Sequence, residues 1–178
     1  MCIRDRYKML YNRRELKDVS KMTDKDYTPG GMTALLDAVG RTIHKMDMVS
    51  GIHRKDKGNK VLFVIITDGE ENDSREYTYA DVKKLIKDRQ ENAGWEFIFL
   101  GANIDAVAAA ENLGIDRDRA VKYKNTGSGV RANFKAVAEL SDSLAKSGRV
   151  SDEWKETVEK DEDDAADKQS AAVTLHRR

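Results

Sequence analysis

Residues Val61-Leu62-Phe63-Val64-Ile65-Ile66 form an unbroken apolar run, rich in β-branched side chains and bounded by Lys60 and Asp68. Successive side chains of a strand point to opposite faces, so a run without alternation has to be covered on both sides. That requirement narrows the fold to a parallel sheet layered between helices. Trp95-Glu96-Phe97-Ile98-Phe99-Leu100, closed by Gly101, makes the same demand. Ala120-Val121-Lys122-Tyr123 reads as a shorter third strand, nearer an edge.

Between these runs the apolar period becomes helical. After Thr78, Val82, Leu85 and Ile86 share a stripe that excludes Lys83, Lys84 and Lys87. Thr78-Tyr79-Ala80-Asp81 fits a capping box with Asp in place of Glu, and Gly94 stands where the helix should end. Asp105 opens an alanine-rich helix that stops at Gly114. Ser128 opens another that ends at Gly148, with Val130, Phe134, Val137 and Leu144 expected to face inward. Upstream, Thr33 begins a helix that runs to Gly51, its inner face being Leu36, Val39, Ile43 and Met46. This alternation predicts an α/β protein with a doubly wound, mostly parallel sheet.

In such sheets ligands gather beyond the carboxyl ends of the strands. Asp68 occupies that place after the first run, inside Thr67-Asp68-Gly69-Glu70-Glu71-Asn72-Asp73, and Gly101-Ala102-Asn103 occupies it after the second. The loop Thr28-Pro29-Gly30-Gly31-Met32 can reach the same rim. A hard divalent cation suits these groups, because Mg²⁺ takes about six oxygens, keeps several waters and uses one or two protein carboxylates. The Thr33 hydroxyl and the Asp68 carboxylate are apt ligands. Each also has a purely structural use, Thr33 as a helix cap and Asp68 as part of a polar turn. Glu70, Glu71 and Asp73 are expected to be solvated loop acids.

The length of 178 residues suits one domain. Residues 1–60 carry 14 Lys and Arg against 8 Asp and Glu, whereas residues 152–167 carry 2 against 9. The basic excess is diffuse and lacks interleaved aromatics, so nucleic acid is not an expected partner. The acidic tail, residues 149–178, is expected to be solvated and disordered or frayed-helical. Cys2 is the single cysteine, which excludes an intrachain disulfide. No segment approaches the roughly 20 apolar residues of a membrane span, no signal-peptide pattern opens the chain, and a cytoplasmic location is expected. His44, His53 and His176 lack metal-binding spacing and are expected at the surface. No nucleophile sits beside a base, and no Gly-x-x-x-x-Gly-Lys appears.

Gly30-Gly31-Met32-Thr33-Ala34-Leu35-Leu36, followed by a helix and then by Phe63-Val64-Ile65-Ile66-Thr67-Asp68-Gly69-Glu70, resembles the von Willebrand factor A domain, most of all its intracellular bacterial and phage forms. The Gly-Gly-x-Thr-x-Leu and strand-Thr-Asp-Gly segments match the second and third elements of that family's metal-ion-dependent adhesion site. The run Trp95 to Asn103 with its following helix fits as well. The resemblance covers about residues 7–148, leaving 1–6 as a leader and 149–178 as a tail, and it implies a Rossmann-like fold. It also implies that Thr33 and Asp68 hold Mg²⁺ and that an acidic side chain of a partner protein completes the metal's coordination.

One departure is large. The family's first element, Asp-x-Ser-x-Ser at the end of the first, central strand, is absent, and Asp5-Arg6 has no serines after it. Tyr7-Lys8-Met9-Leu10-Tyr11 looks like the family's antiparallel edge strand instead. The expectation is a partial domain lacking its central strand, either truncated or given a spurious start, with an authentic short form as the alternative. Mg²⁺ binding should then be weak or absent, and the strand at 61–67 should present an unpaired edge open to self-association. The leading functional expectation is a non-catalytic protein-binding module. The alternatives are a Mg²⁺-dependent phosphoryl-transfer or hydrolase domain with Asp68 on the metal, and a structural or assembly protein such as a phage component.

Overall fold

The computed structural model describes residues 2–3, 6–12, 14–21, 23, 32–50, 60–151 and 153–159. The loop at 28–31, His53, His176 and the acidic residues from 160 onward lie outside the described residues. Two short strands, β1 (Cys2–Ile3) and β2 (Arg6–Tyr7), form an antiparallel ladder. Then follow α1 (Leu35–Ser50), β3 (Leu62–Thr67), α2 (Tyr79–Asp88), β4 (Glu96–Gly101), α3 (Ala106–Asn112), β5 (Ala120–Lys122) and α4 (Gly127–Ser147). The main sheet has the order β3-β4-β5, with both pairings parallel, and helices flank it on both faces. The protein is therefore α/β, consistent with a Rossmann-like fold. Among the described residues, no helix is long and apolar enough to cross a membrane.

Register fixes which side chains share a face. Leu62 lies beside Glu96, and the pairing continues to Thr67 beside Gly101. Phe63, Ile65, Phe97 and Phe99 point into a core built with α1, α2 and α3, with Ile43 and Val82 at its heart. Leu62, Val64, Ile98 and Leu100 point the other way, onto Ala136 and Leu140 of α4. The capping expectations hold at two helices. Thr78 and Asp81 form the reciprocal box that opens α2, and the Asp105 carboxylate accepts the Ala108 N–H at the start of α3. After α2 the helix widens into a π turn, Arg89–Ala93, before Gly94 ends it.

Four expectations are corrected. The buried stripe of α4 is Gly129, Asn133, Ala136, Leu140 and Leu144, while Phe134 is 64% exposed and Val130 lies near the surface. Ala136 seats the helix on the sheet and Gly129 closes against the Lys124 backbone, so Val137 and Leu144 face inward as expected while Val130 and Phe134 turn outward. The same helix is capped by Thr126, whose hydroxyl accepts the Gly129 N–H, and not by Ser128. The Tyr7–Tyr11 segment is no edge strand, since Tyr7 alone belongs to a ladder and residues 8–11 are irregular. Finally, the packed body continues past Gly148. Val150, Trp154 and Val158 are 6%, 2% and 1% exposed and join the cluster around Leu140, with residues 154–159 helical. Their i, i+4, i+8 spacing makes one apolar stripe inside an acidic segment.

Burial differs between the two long strands. Phe97, Ile98, Phe99 and Leu100 of β4 are fully buried, whereas in β3 Ile66 is 45% exposed and Leu62, Phe63 and Val64 are half-buried. Among the described residues β3 stands at one end of the main sheet. The packing of the segment after α4 is directly testable: Trp154→Ala should cost about 3–5 kcal/mol in a urea melt, and an unchanged midpoint would show that the segment does not belong to the core.

Candidate functional site

Three connections meet at the carboxyl ends of the strands: the residues leading into α1, the loop after β3, and the loop after β4. The first two are joined by an unusually dense set of polar contacts. An α-helix leaves its first N–H groups without intrahelical partners and carries partial positive charge there. In α1 the first intrahelical bond runs from Ala38 N–H to Ala34 O, and the orphan donors are taken up by the loop after β3. Glu71 Oε2 accepts the Leu36 N–H at 2.9 Å, and the Ser74 hydroxyl accepts the Asp37 N–H at 3.1 Å. Glu71 is itself fixed by the Ser74 hydroxyl and by the N–H groups of Asp73 and Ser74. It is the helix cap, and the expectation of a solvated acid is wrong for this residue.

Asp37 reciprocates from the helix side. Its carboxylate, 7% exposed, accepts the N–H groups of Arg75, Glu76 and Tyr77 at 2.9–3.0 Å. Burial alone would push this carboxyl up. The three backbone donors, aided by the charge of Arg41, outweigh burial and hold it below the usual carboxylate range. Arg41 also makes a two-pronged ion pair with Glu76. Tyr77 completes the staple by lying across Gly40, where an added Cβ would come within 2.5 Å of its ring.

Thr33 is held at the near end of this staple. Its N–H donates to Asn72 Oδ1 at 2.8 Å, and its carbonyl accepts the Asn72 N–H at 3.0 Å. Thr33 therefore precedes the helix without capping it. Its Oγ1 lies 3.2 Å from where a Cβ on Gly69 would stand, one residue from Asp68. The turn after β3 is closed by Thr67, whose hydroxyl donates to the Gly69 carbonyl at 2.9 Å, with Asp68 exposed at the apex. The β4 loop joins the rim where Ala102 N–H donates to Thr67 O, and Asn103 sits there in the left-handed conformation that asparagine tolerates.

The rim thus sorts into two sets of oxygens. Glu71, Asn72, Asp73 and Ser74 are engaged in holding the loop. The Thr33 hydroxyl and the carboxylates of Asp68 and Glu70 have no hydrogen-bond or ion-pair partner among the described residues. Among those residues no cluster of three or more His, Cys, Asp and Glu side chains has metal-binding geometry. A hydroxyl with one or two carboxylates at an exposed rim suits a cation that keeps most of its water.

Among the described residues, clefts also lie elsewhere. One, at the opposite end of the sheet, is lined by Lys83, Glu96, Arg117, Arg119 and Lys155. Three of its charged groups are spent internally, Arg119 on Glu96 at 3.6 Å and Lys155 on the Arg117 carbonyl at 2.7 Å. Another runs between α1 and α2 past His44, which is exposed and packs against Tyr77. No protein-family model, curated protein or solved structure matches the chain.

Asp37, Asn72 and Ser74 were given no role from the sequence, and Glu71 was given the wrong one. The signal for Asp37 was its place in a helical first turn, where an acid meets the helix's positive end. Glu71 gave none, because its helix lies 35 positions away. A pH profile tests the staple. The Asp37 carboxyl titrates lower in the folded chain, so the unfolded state binds more protons between the two values and stability rises with pH there. The contribution should be complete above about pH 5 and drain away as pH falls through the folded value. Asp37→Ala should cost about 2 kcal/mol at neutral pH and flatten that acid limb in chemical-denaturation curves. A variant with the wild-type limb would exclude the role given to Asp37.

Proposed function

We propose that this chain is a non-catalytic protein-binding module of the von Willebrand factor A type, in which Thr33 and Asp68 hold a hydrated Mg²⁺ that an acidic side chain of a partner protein completes. The observation that carries the reading is the pairing of two unengaged oxygen donors on loops that other residues clamp together: Thr33 is bonded at both its N–H and its carbonyl to Asn72, and its hydroxyl abuts Gly69 beside Asp68. The clamp uses up neither donor.

When bound, the cation supplies a positive charge with an open coordination position. The chain's own part is to keep Thr33 and Asp68 at the same rim, to leave Asp68 exposed, and to spend Glu71 on α1 instead of on the ion. Only two protein ligands are named, so affinity for the ion alone should be low, with Kd about 1 mM. Such weakness is useful in an adhesion-type site, where the partner's carboxylate is part of the coordination shell and binding becomes metal-dependent.

Thermal melts with and without 10 mM Mg²⁺ or Mn²⁺ test the reading. At that Kd the cation should add about 1.4 kcal/mol and raise Tm by roughly 3 °C. Asp68→Ala and Thr33→Val should abolish the increment while leaving the cation-free melt near wild type. Equal increments in wild type and Asp68→Ala would sink the proposal.

A further inference from the structure

The free edge of β3 carries more information than its exposure. Val61 O accepts the Glu96 N–H, and Thr67 O accepts the Ala102 N–H, both at 2.9 Å. In a parallel ladder the bonding direction alternates along the strand, so the backbone groups of residues 61, 63, 65 and 67 turn toward β4. Those of Leu62, Val64 and Ile66 turn away, leaving three N–H and three C=O groups without strand partners among the described residues. The strand also lacks the usual edge protection: from 62 to 67 it has no charge, no proline and no bulge.

We infer that this edge pairs with the same edge of a second copy, antiparallel about a twofold axis at Val64, to give one continuous six-stranded sheet. The inference goes beyond the cation reading and does not rest on it. The donor and acceptor pattern is complementary to itself at one register. With Val64 opposite its own counterpart, Leu62 faces Ile66 of the second copy and Ile66 faces Leu62. All three are then mutually hydrogen-bonded pairs, so six bonds satisfy every free N–H and C=O of both edges.

Side chains agree with that register. Leu62, Val64 and Ile66 lie on one face, so like meets like across the axis in an apolar row. At its ends the same register sets Lys60 of each copy opposite Asp68 of the other, opposite charges on residues that are both exposed. Lys60 donates to the Leu144 carbonyl and keeps further protons to share. A register shifted by two residues would lose the outer hydrogen bonds and break both charge pairs. Val137 of α4 packs with Leu62 and Val64 on this face, and the exposed Phe134 and Val130 continue its stripe. They supply apolar area beyond the strand, which alone is too narrow for a stable interface.

Sedimentation equilibrium of the full chain in EDTA, so that no cation contributes, reads the assembly. A closed dimer is expected. Ile66→Lys should give monomer with an unchanged circular dichroism spectrum. Lys60→Glu, which sets like charges opposite each other, should raise the dimer Kd about tenfold, and the exchange Lys60→Asp with Asp68→Lys should restore it. Amide exchange keeps the test open if a variant misfolds: in wild type the amides of Leu62, Val64 and Ile66 should be slow at high concentration and fast on dilution, with Phe63 and Ile65 slow throughout. A wild-type monomer, open-ended oligomers, a dimer indifferent to Ile66→Lys, or protection of those amides by a different polypeptide would each overturn the inference. A dimer in a chain that ignores Mg²⁺ would leave this inference standing and the cation reading fallen.

Discussion

The capping of α1 by a loop more than thirty residues away is the constraint on which the upper rim of this protein depends. A helix N-terminus needs acceptors, and α1 takes them from Glu71 and Ser74, while Asp37 in its first turn supplies acceptors for the same loop's backbone. Donor needs acceptor in both directions, so neither segment can leave without stranding the other's polar groups. The exchange explains why an apolar strand opens at once into a cluster of acids. Half of that cluster, Glu71 and Asp73, holds structure, and the other half, Asp68 and Glu70, is exposed on the Thr33 side.

The proposed cation site depends on this division of labour. A rim that had spent every oxygen on itself would offer a ligand nothing, and one that had spent none would be a mobile polar loop. Here the engaged residues run from Glu71 to Tyr77, and the unengaged donors stand just before them at Asp68 and Glu70, with Thr33 across the gap. The rigid part aims the free part. The same strand also carries the open edge, and Asp68 belongs to both settings. A cation on Asp68 and a Lys60 from a second copy would compete for one carboxylate, which couples cation binding to assembly.

Much of the layer architecture is legible in the residues because it follows from local physics. Unbroken apolar runs gave β3 and β4 within a residue of their observed limits, and the Thr78–Asp81 box and Asp105 cap lie where short-range chemistry puts them. The readings that failed involve what lies across space. The turned face of α4 depends on how closely Gly129 approaches the Lys124 backbone and Ala136 the sheet, and a helical period alone cannot distinguish the Val130-Phe134 stripe from its neighbour. Trp154 was hidden by its acidic surroundings, since composition averages over a stripe of three residues. At the rim, Thr33 and Asp68 are chemically apt ligands, but it was the resemblance that singled them out as a pair. The clamp through Asn72 could not be named, because nothing in the spacing of positions 33 and 72 marks them as partners.

Paramagnetic broadening by Mn²⁺ addresses the shared site most directly, because it reports distance to the ion residue by residue. In a ¹⁵N-labelled chain at substoichiometric Mn²⁺, the amides of Met32, Thr33 and Ala34 should fade together with those of Asp68, Gly69 and Glu70, and Asp68→Ala should protect both groups at once. Broadening confined to one of the two segments, or centred on Asp116 and Asp118, which line the cleft at the far end of the sheet, would contradict a common cation between Thr33 and Asp68.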